Sequence, residues 1–584
     1  MRKNKLWSKS LDNSKLVSRH LGITFLISIV IGILAGIFSW LFRLLIGVIH
    51  NIAFLGQFST QYDANIHTLG SYLGWLIIFS PVLGGLIVVY LIKNFAPQAK
   101  GHGVPEVMHA IYHKRGIIPG NVSIVKAFAS AITIGTGGSL GREGPIVQIS
   151  AAFSSFIGKI AHLSVSQRNL MIACGASSGI AATFNAPLGG ILFAIELLLV
   201  TINSRTILPV AISTVISANI GQYLIGNEPA FSIPEIIHIT ENSNIYSTLL
   251  AIPLGALIGL FAIVFIKSIY FSEDLFESLP YNDYIKHIIG TFILGVMFYT
   301  IYIQIGHYYV QGVGYATIQD VLMNIITNPG LLLFLLIAKL LATSLTIGSG
   351  GSGGVFSPSL FLGAVFGALF GNIVNLLFPE LGINPIIFVI SGMAAMVSGT
   401  TSAPLTAAII VYEMTLDYNA ILAIMTAVSV AYAVRRHFMK ADIYTLKLNR
   451  RGDYIPEELI ADLKSYIVVD DSASKNVQFL SDKDNIAWDH DFSCLIENNK
   501  VVKIINLGKQ NKDHNLTISS MEKEHYIILN AGITVTEAVN QFYQNNCEVA
   551  LVSHNGSSDK EAVVGVVTSA HLLHSIGNVS SILR

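Results

Sequence analysis

The sequence predicts an all-α polytopic membrane protein followed by a small α/β domain, and three observations lead there. Of 584 residues, 52% are apolar and only 12% charged, about half the roughly 25% charge usual in soluble domains. The deficit is uneven: from about residue 20 to 435 long apolar stretches dominate, and ordinary charge density returns beyond about residue 450. Finally, Gly- and Pro-rich breaks interrupt the apolar stretches and recur in the same order in two parts of the chain.

The apolar stretches 21–48, 69–92, 249–266, 288–305 and 331–347 match the roughly 17–25 residues that a helix needs to cross a bilayer. Arg2, Lys3, Lys5, Lys9, Lys15 and Arg19 precede the first, while Arg435, Arg436, Lys440, Lys447, Arg450 and Arg451 follow the last. By the positive-inside rule both termini face the cytoplasm. The first apolar run is longer than the about 7–15 residues of a signal-peptide core and reads as a retained helix. The organisation expected is a basic N-terminus over 1–20, a membrane part over 21–450 and a cytosolic appendage over 451–584. A formal net charge of +0 points to no nucleic-acid partner. Cys174, Cys494 and Cys547 are too few and scattered for a disulfide framework or a metal site.

Breaks at Gly101–Pro105, Gly135–Pro145, Asn185–Gly190, Gly348–Pro358 and Ser398–Pro404 carry the functional information. Non-helical backbone at membrane depth is tolerated only where protein buries it or where it lines a wet cavity. Residues 126–151 read KAFASAITIGTGGSLGREGPIVQISA, and 339–364 read KLLATSLTIGSGGSGGVFSPSLFLGA. They align without gaps. A second pair follows in the same order: GASSGIAATFNAPLGGILFAIE over 175–196 and GMAAMVSGTTSAPLTAAIIVYE over 392–413. Two repeats, at about 100–200 and 320–420, with matching broken segments point to a binding site at their interface.

In the first repeat, Gly141-Arg142-Glu143-Gly144-Pro145 marks a helix start at about Pro145, because proline suits a first turn. Gly353-Gly354-Val355-Phe356-Ser357-Pro358 does the same in the second. Helix N-termini present unpaired amides and a positive dipole end, which attract anions. Two such ends converging, with Gly144 and Val355 close together, bind a passing anion without a full counter-charge. Glu143 at one of these ends competes with the anion when ionised and leaves when protonated, a gate linked to pH. The bland alternative is an N-terminal capping carboxylate, but an ionisable residue within a membrane marks function by default. Gly348, Gly350 and Gly353 satisfy a G-x-G-x-x-G dinucleotide pattern, yet the required strand and acidic residue are missing.

These motifs together resemble the CLC chloride channel and transporter family. The carriers are Gly101-His102-Gly103-Val104-Pro105-Glu106, the segment 141–145, Gly354-Val355-Phe356-Ser357-Pro358 and Tyr444, over about residues 20 to 450. The resemblance implies a homodimer with one pore per subunit, each pore built from two inverted repeats of short, tilted and broken helices. It also implies that Glu143 is the gating glutamate and that the amides of Val355 and Phe356 line the central site. The Tyr444 hydroxyl would donate to the ion; taken alone, Tyr444 reads as an interfacial aromatic. The resemblance further places the chain in a cell membrane, of the bacterial inner-membrane type, with chloride as the transported ligand and no cofactor.

Two departures from the family pattern stand out. His102 occupies a position where the family usually has serine. Either its imidazole meets the ion, or it faces the cytosolic vestibule and the ion meets the amides of Gly103 and Val104; nitrate as the cargo stays open. At the adjacent pair of glutamates typical of proton-coupled members, the chain has Glu196-Leu197. Glu196 remains on a possible proton path, while Leu197 cannot carry a proton, which favours a channel over a chloride/proton antiporter. Lys126 and Lys339 hold matching repeat positions; either raises the potential of an anion path, and Lys339 reads as snorkelling to an interface. Glu413 reads as a cap or ion-pair partner at its own repeat break.

Beyond residue 451, strands are expected at 465–469, 500–505, 526–529, 548–552 and 562–568, with a helix at 534–544. This segment resembles a degenerate pair of CBS modules, the better copy over 526–576. His571 stands where such modules place a ribose-binding aspartate, so a dimerisation or regulatory role is expected in place of nucleotide binding. No feature points to an enzyme.

Overall fold

The computed structural model describes residues 2–200, 202–227, 229–234, 243–455, 469–481, 484, 486–509, 524–533, 535–545 and 547–572. The side chains of the basic segment 1–20, and residues 465–468 and 573–576 of the expected C-terminal elements, lie outside the described residues. The chain divides into two units, Met1–Tyr454 and Ile455–Arg584.

The first unit is all helical: α1 Arg2–His50, α2 Ser80–Phe95, α3 Val104–His113, α4 Asn121–Gly135, α5 Glu143–Ile160, α6 Val165–Phe184, α7 Pro187–Leu197, α8 Ser204–Ile225, α9 Ser243–Ser278, α10 Asp283–Ile305, α11 Tyr315–Leu322, α12 Pro329–Gly348, α13 Phe356–Leu377, α14 Ile386–Thr401, α15 Pro404–Thr415, α16 Ile421–Phe438 and α17 Ile443–Arg450. Among the described residues, eight helical stretches are long and apolar enough to cross a membrane. The expected span 69–92 is split, with a 3-10 segment at Gly74–Phe79 ahead of α2. Pro81 accounts for the restart, since proline suits the first turn of a new helix.

Packing repeats along the chain. α5 packs on α6, α1 on α8 and α6 on α8, and their counterparts α13 on α14, α9 on α16 and α14 on α16 do likewise. The structural repeat thus extends beyond the segments visible in the sequence. The halves meet about a local two-fold, because equivalent residues exchange equivalent bonds. Gly141 N–H donates to Gly354 O at 2.7 Å and Gly354 N–H returns the bond to Gly141 O at 2.7 Å, as an antiparallel bridge. Ser139 N–H reaches Thr346 Oγ1, and Ser352 N–H reaches Thr133 Oγ1. Antiparallel exchange of this kind is what inverted repeats require.

The helix breaks have local causes. α6 ends at Asn185 (φ 57°) and α14 at Ser402 (φ 60°), both left-handed, and in each case an Ala-Pro then starts the next helix. Left-handed termination frees the chain to turn sharply. Here each turn is held from the opposite half. Glu413 accepts from the Leu188 and Gly189 amides at 3.0 and 2.7 Å, and Glu196 accepts from the Leu405 and Thr406 amides at 3.0 and 2.7 Å. Glu413 is structural as expected, but it caps the break of the other repeat, not its own.

The second unit holds two three-stranded sheets of one topology. β1 Val477–Leu480 pairs parallel with β2 Phe492–Glu497, which pairs antiparallel with β3 Lys500–Asn506. β4 Tyr526–Asn530, β5 Val549–Ser553 and β6 Val563–Thr568 repeat that order. Val469–Ser472 is a short helix (α18), not the end of a strand, and Val535–Asn545 is α19. α19 supplies the crossover that the parallel β4–β5 pair demands. Every residue of the central strand β5 is buried, which explains its unbroken apolar run. Cys494 is buried in the β2 core, and burial pushes its thiol up to about 12.

Candidate anion-binding site

Two interruptions, one per repeat, place helix ends against each other. α5 starts at Glu143 and α13 at Phe356, two residues ahead of the prolines that the sequence marked. Both prolines therefore fall at the third helical position, where the amide is still without an intrahelical acceptor. The mutual Gly141–Gly354 bonds pin the two starts together. A Cβ built on Gly354 would lie 2.7 Å from Gly144 N, and one on Gly103 would lie 2.6 Å from Gly144 O. Gly103 also has a φ of 91°, where side chains are strained. Only glycines let the N-terminus of α3 and those of α5 and α13 approach this closely. Gly144 thus lies against Gly354, the residue before Val355.

The α3 loop is tied to the second repeat as well. Gly101 N–H donates to Gly351 O, and Gly353 N–H donates to Gly101 O, both at 3.2 Å. Lys126 stands behind this loop, fully buried, with Nζ donating to Ala99 O and Gly101 O at 3.0 and 2.7 Å. Lys339 does the same for the equivalent loop before α11, donating to Val310 O and Gly312 O at 3.1 Å each. Lys339 is 0% exposed, so it does not snorkel. Its ammonium satisfies carbonyls that a broken helix leaves open.

Glu143 is 2% exposed. Its Oε1 accepts from the Tyr315 hydroxyl and from the Ser357 hydroxyl, each at 2.6 Å. Oε2 has no partner among the described residues. The carboxylate therefore sits at the first turn of α13, the place an anion attracted to that helix end would take. Tyr315 escaped sequence reasoning. Its contact with Glu143 spans 172 residues, and no local pattern in the sequence signals it.

His102 is fully buried, and neither ring nitrogen has a partner among the described residues. It lies edge-on to Tyr270, 6.3 Å between ring centres. The Tyr270 hydroxyl donates to Ile443 O at 2.5 Å, which ties α17 to this region. Asp442 caps α17 through the Tyr444 and Thr445 amides. Tyr444 is only 3% exposed on a helix that packs against α3 and α14, so it is not a surface belt residue. Val104 opens α3, on which α17 packs. The structure brings together His102, Gly103, Val104, Glu143, Gly144, Val355 and Phe356 around three helix starts, those of α3, α5 and α13. Glu196 is elsewhere, bound at the start of α15, with Leu197 buried beside it.

Residues 84–436 match the protein family described as voltage gated chloride channel. The H(+)/Cl(-) exchange transporter ClcA of Vibrio cholerae is 34% identical over 412 residues, covering 68% of this chain and 82% of that protein. The protein of the same name from Vibrio campbellii is 33% identical over 432 residues, covering 72% and 88%. Among solved structures, a slow cyanobacterial Cl-/H+ antiporter superposes with a TM-score of 0.63 at 24% identity, covering 73% of this chain and 97% of that one. A eukaryotic CLC transporter superposes with a TM-score of 0.61 at 18% identity over 94% of this chain and 98% of its own. These two structures support the fold.

Proposed function

The chain belongs to the voltage gated chloride channel family, and from that premise we propose that it exchanges chloride for protons across a membrane, with Glu143 as the group that both displaces the anion and accepts the proton. The observation that carries this reading is the Glu143 carboxylate docked on the Tyr315 and Ser357 hydroxyls at the start of α13. A carboxylate there excludes a second anion by like charge, and protonation removes the reason for it to stay. The names of the relatives favour an exchanger over the channel that Leu197 suggests.

His102, Gly103, Val104, Gly144, Val355, Phe356 and Tyr444 form the anion site in this proposal. Support comes from two buried, unpartnered ring nitrogens on His102 and from the burial of Tyr444, 3% exposed. A neutral imidazole always has one N–H to give, so His102 replaces a hydroxyl donor without adding fixed charge. Because a planar oxyanion could also use such a donor, nitrate is the alternative cargo. The protein would act as a homodimer with both termini cytoplasmic, the second unit serving assembly or regulation.

A channel remains the second reading, on a specific observation. Both Glu196 oxygens are engaged by the α15 amides, and Leu197 offers no carboxylate, so the proton would need water for part of its path. Purified protein in liposomes decides, with chloride efflux and external pH recorded together. Uphill proton movement driven by a chloride gradient is expected; chloride flux with no proton movement would leave only the channel.

A further inference from the structure

Two imidazoles and a carboxylate meet on the face of the membrane unit away from its basic residues. α10 starts beside Lys93 and Lys286, which reach Asp283 and Glu277 O, and it ends at Ile305. His307 follows that end, on the outer side by the positive-inside rule. His67, from the segment between α1 and α2, lies over it, the rings stacked with centres 4.4 Å apart and planes at 20°. His67 Nε2 meets Asp320 Oδ2 at 2.7 Å, and Asp320 is on α11. Tyr309 sets its ring edge-on to both imidazoles, at 5.1 and 5.5 Å. Among the described residues, Asp320 and Tyr309 are the titratable groups that face the pair, while Tyr62 and Tyr308 line the small recess beside His67.

This cluster holds a strained loop. Tyr309 has a φ of 35°, a left-handed geometry that a bulky residue keeps only where its surroundings impose it. Tyr309 O accepts from Thr317 Oγ1 at 2.9 Å, and the same loop leads into Tyr315, whose hydroxyl holds Glu143. One imidazolium beside Asp320 is offset by its carboxylate. Two imidazoliums stacked at 4.4 Å are not, because a single opposite charge cannot balance both. Partial burial pushes the His307 imidazole below its ordinary range, a charge on His67 pushes it further, and Asp320 opposes both. The folded value thus lies below the about 6.5 of a free imidazole. Stability from the stack is therefore complete above that pH and is lost as pH falls through the folded value.

We propose that His67 and His307 form a proton-operated latch on the outer face, which sets α11 and Tyr315 against Glu143 while at most one ring is charged and parts when both are. Once it parts, Tyr309 relaxes out of its left-handed conformation and Tyr315 loosens its hold on Glu143. The carboxylate then leaves the start of α13 more readily. Outer acidification raises chloride flux by this route as well as by protonating Glu143 itself. The effect on flux rests on Glu143 as the gate, whereas the opening of the loop does not.

Hydrogen exchange in the intact protein reads the latch directly and needs no variant to fold. Between pH 7.5 and pH 5.5, after correction for the intrinsic pH dependence of exchange, protection over 306–322 is expected to fall about tenfold, equivalent to about 1.4 kcal/mol. Unchanged protection would overturn the proposal. His307→Phe keeps a ring to stack and takes no proton, so it is expected to stay protected at pH 5.5. In liposomes the same variant is expected to lose part of the rise in flux on outer acidification. A fall in protection that persists in His307→Phe would overturn the latch, and so would a flux profile identical to wild type. Glu143→Gln is expected to keep the fall in protection, which separates a failed latch from a failed gate.

Discussion

Replacing Glu143 by Gln keeps the side chain's size and removes its charge, which isolates the term that matters. Oε1 accepts two hydroxyl bonds of 2.6 Å from Tyr315 and Ser357. Hydrogen bonds to a charged group contribute about 1.5–3 kcal/mol each, and neutral ones about 0.5–1.5. The amide oxygen of Gln would therefore give up roughly 1–1.5 kcal/mol per bond, or about 2–3 kcal/mol for the pair. That weakens the docked arrangement about 30- to 150-fold. Chloride efflux from liposomes between pH 4.5 and 8 is the assay, with proton uptake recorded in the same vesicles. The expected result is chloride flux that no longer varies with pH and no proton movement against its gradient. A Glu143→Gln variant that still moves protons uphill, or keeps the wild-type pH profile, would refute Glu143 as the coupling group.

Three further predictions address the scaffold. Gly354→Ala sets a Cβ 2.7 Å from Gly144 N, a backbone atom that cannot swing away. Overpacking of this kind costs about 1–3 kcal/mol, so thermal stability falls and chloride flux is lost; wild-type flux would mean that the two helix starts need not touch. Glu413→Ala uncaps α7 across the repeat boundary and should cost about 0.5–2 kcal/mol, seen as a lower unfolding midpoint of the intact protein. An unchanged midpoint would remove Glu413 from the scaffold. Burial holds the Cys494 thiol up to about 12, so at pH 8 it should resist maleimide, with the less buried Cys547 labelled first. Because the folded value lies above the unfolded one, the stability contributed is complete below about pH 9 and is lost toward pH 12. Equal labelling of the two thiols at pH 8 would contradict that burial.

Much of the membrane unit is legible in the sequence because its signals are local. Apolar length announces the spans, and Gly-Pro breaks announce helix starts. The gap-free alignment of 126–151 with 339–364 announces duplication. That Glu143, Gly144 and Val355 lie at helix starts follows from the same strings, since glycine loops and nearby prolines mark where α5 and α13 begin. The C-terminal unit is less legible. β1 and β2 are short, and no crossover helix joins them among the described residues, so no alternating run stands out.

Only the folded chain decides who meets whom. Tyr315 and Ser357 reach Glu143 across 172 and 214 residues, Glu413 caps a helix 224 residues away, and Lys339 turns inward onto carbonyls although its sequence neighbours suggest an interface. A residue's own neighbourhood in the chain states its chemistry and its helix. The fold chooses its partner, because a broken helix leaves amides and carbonyls to be satisfied: Glu413 and Glu196 reach amides of the opposite half, and Lys126 and Lys339 reach carbonyls of their own.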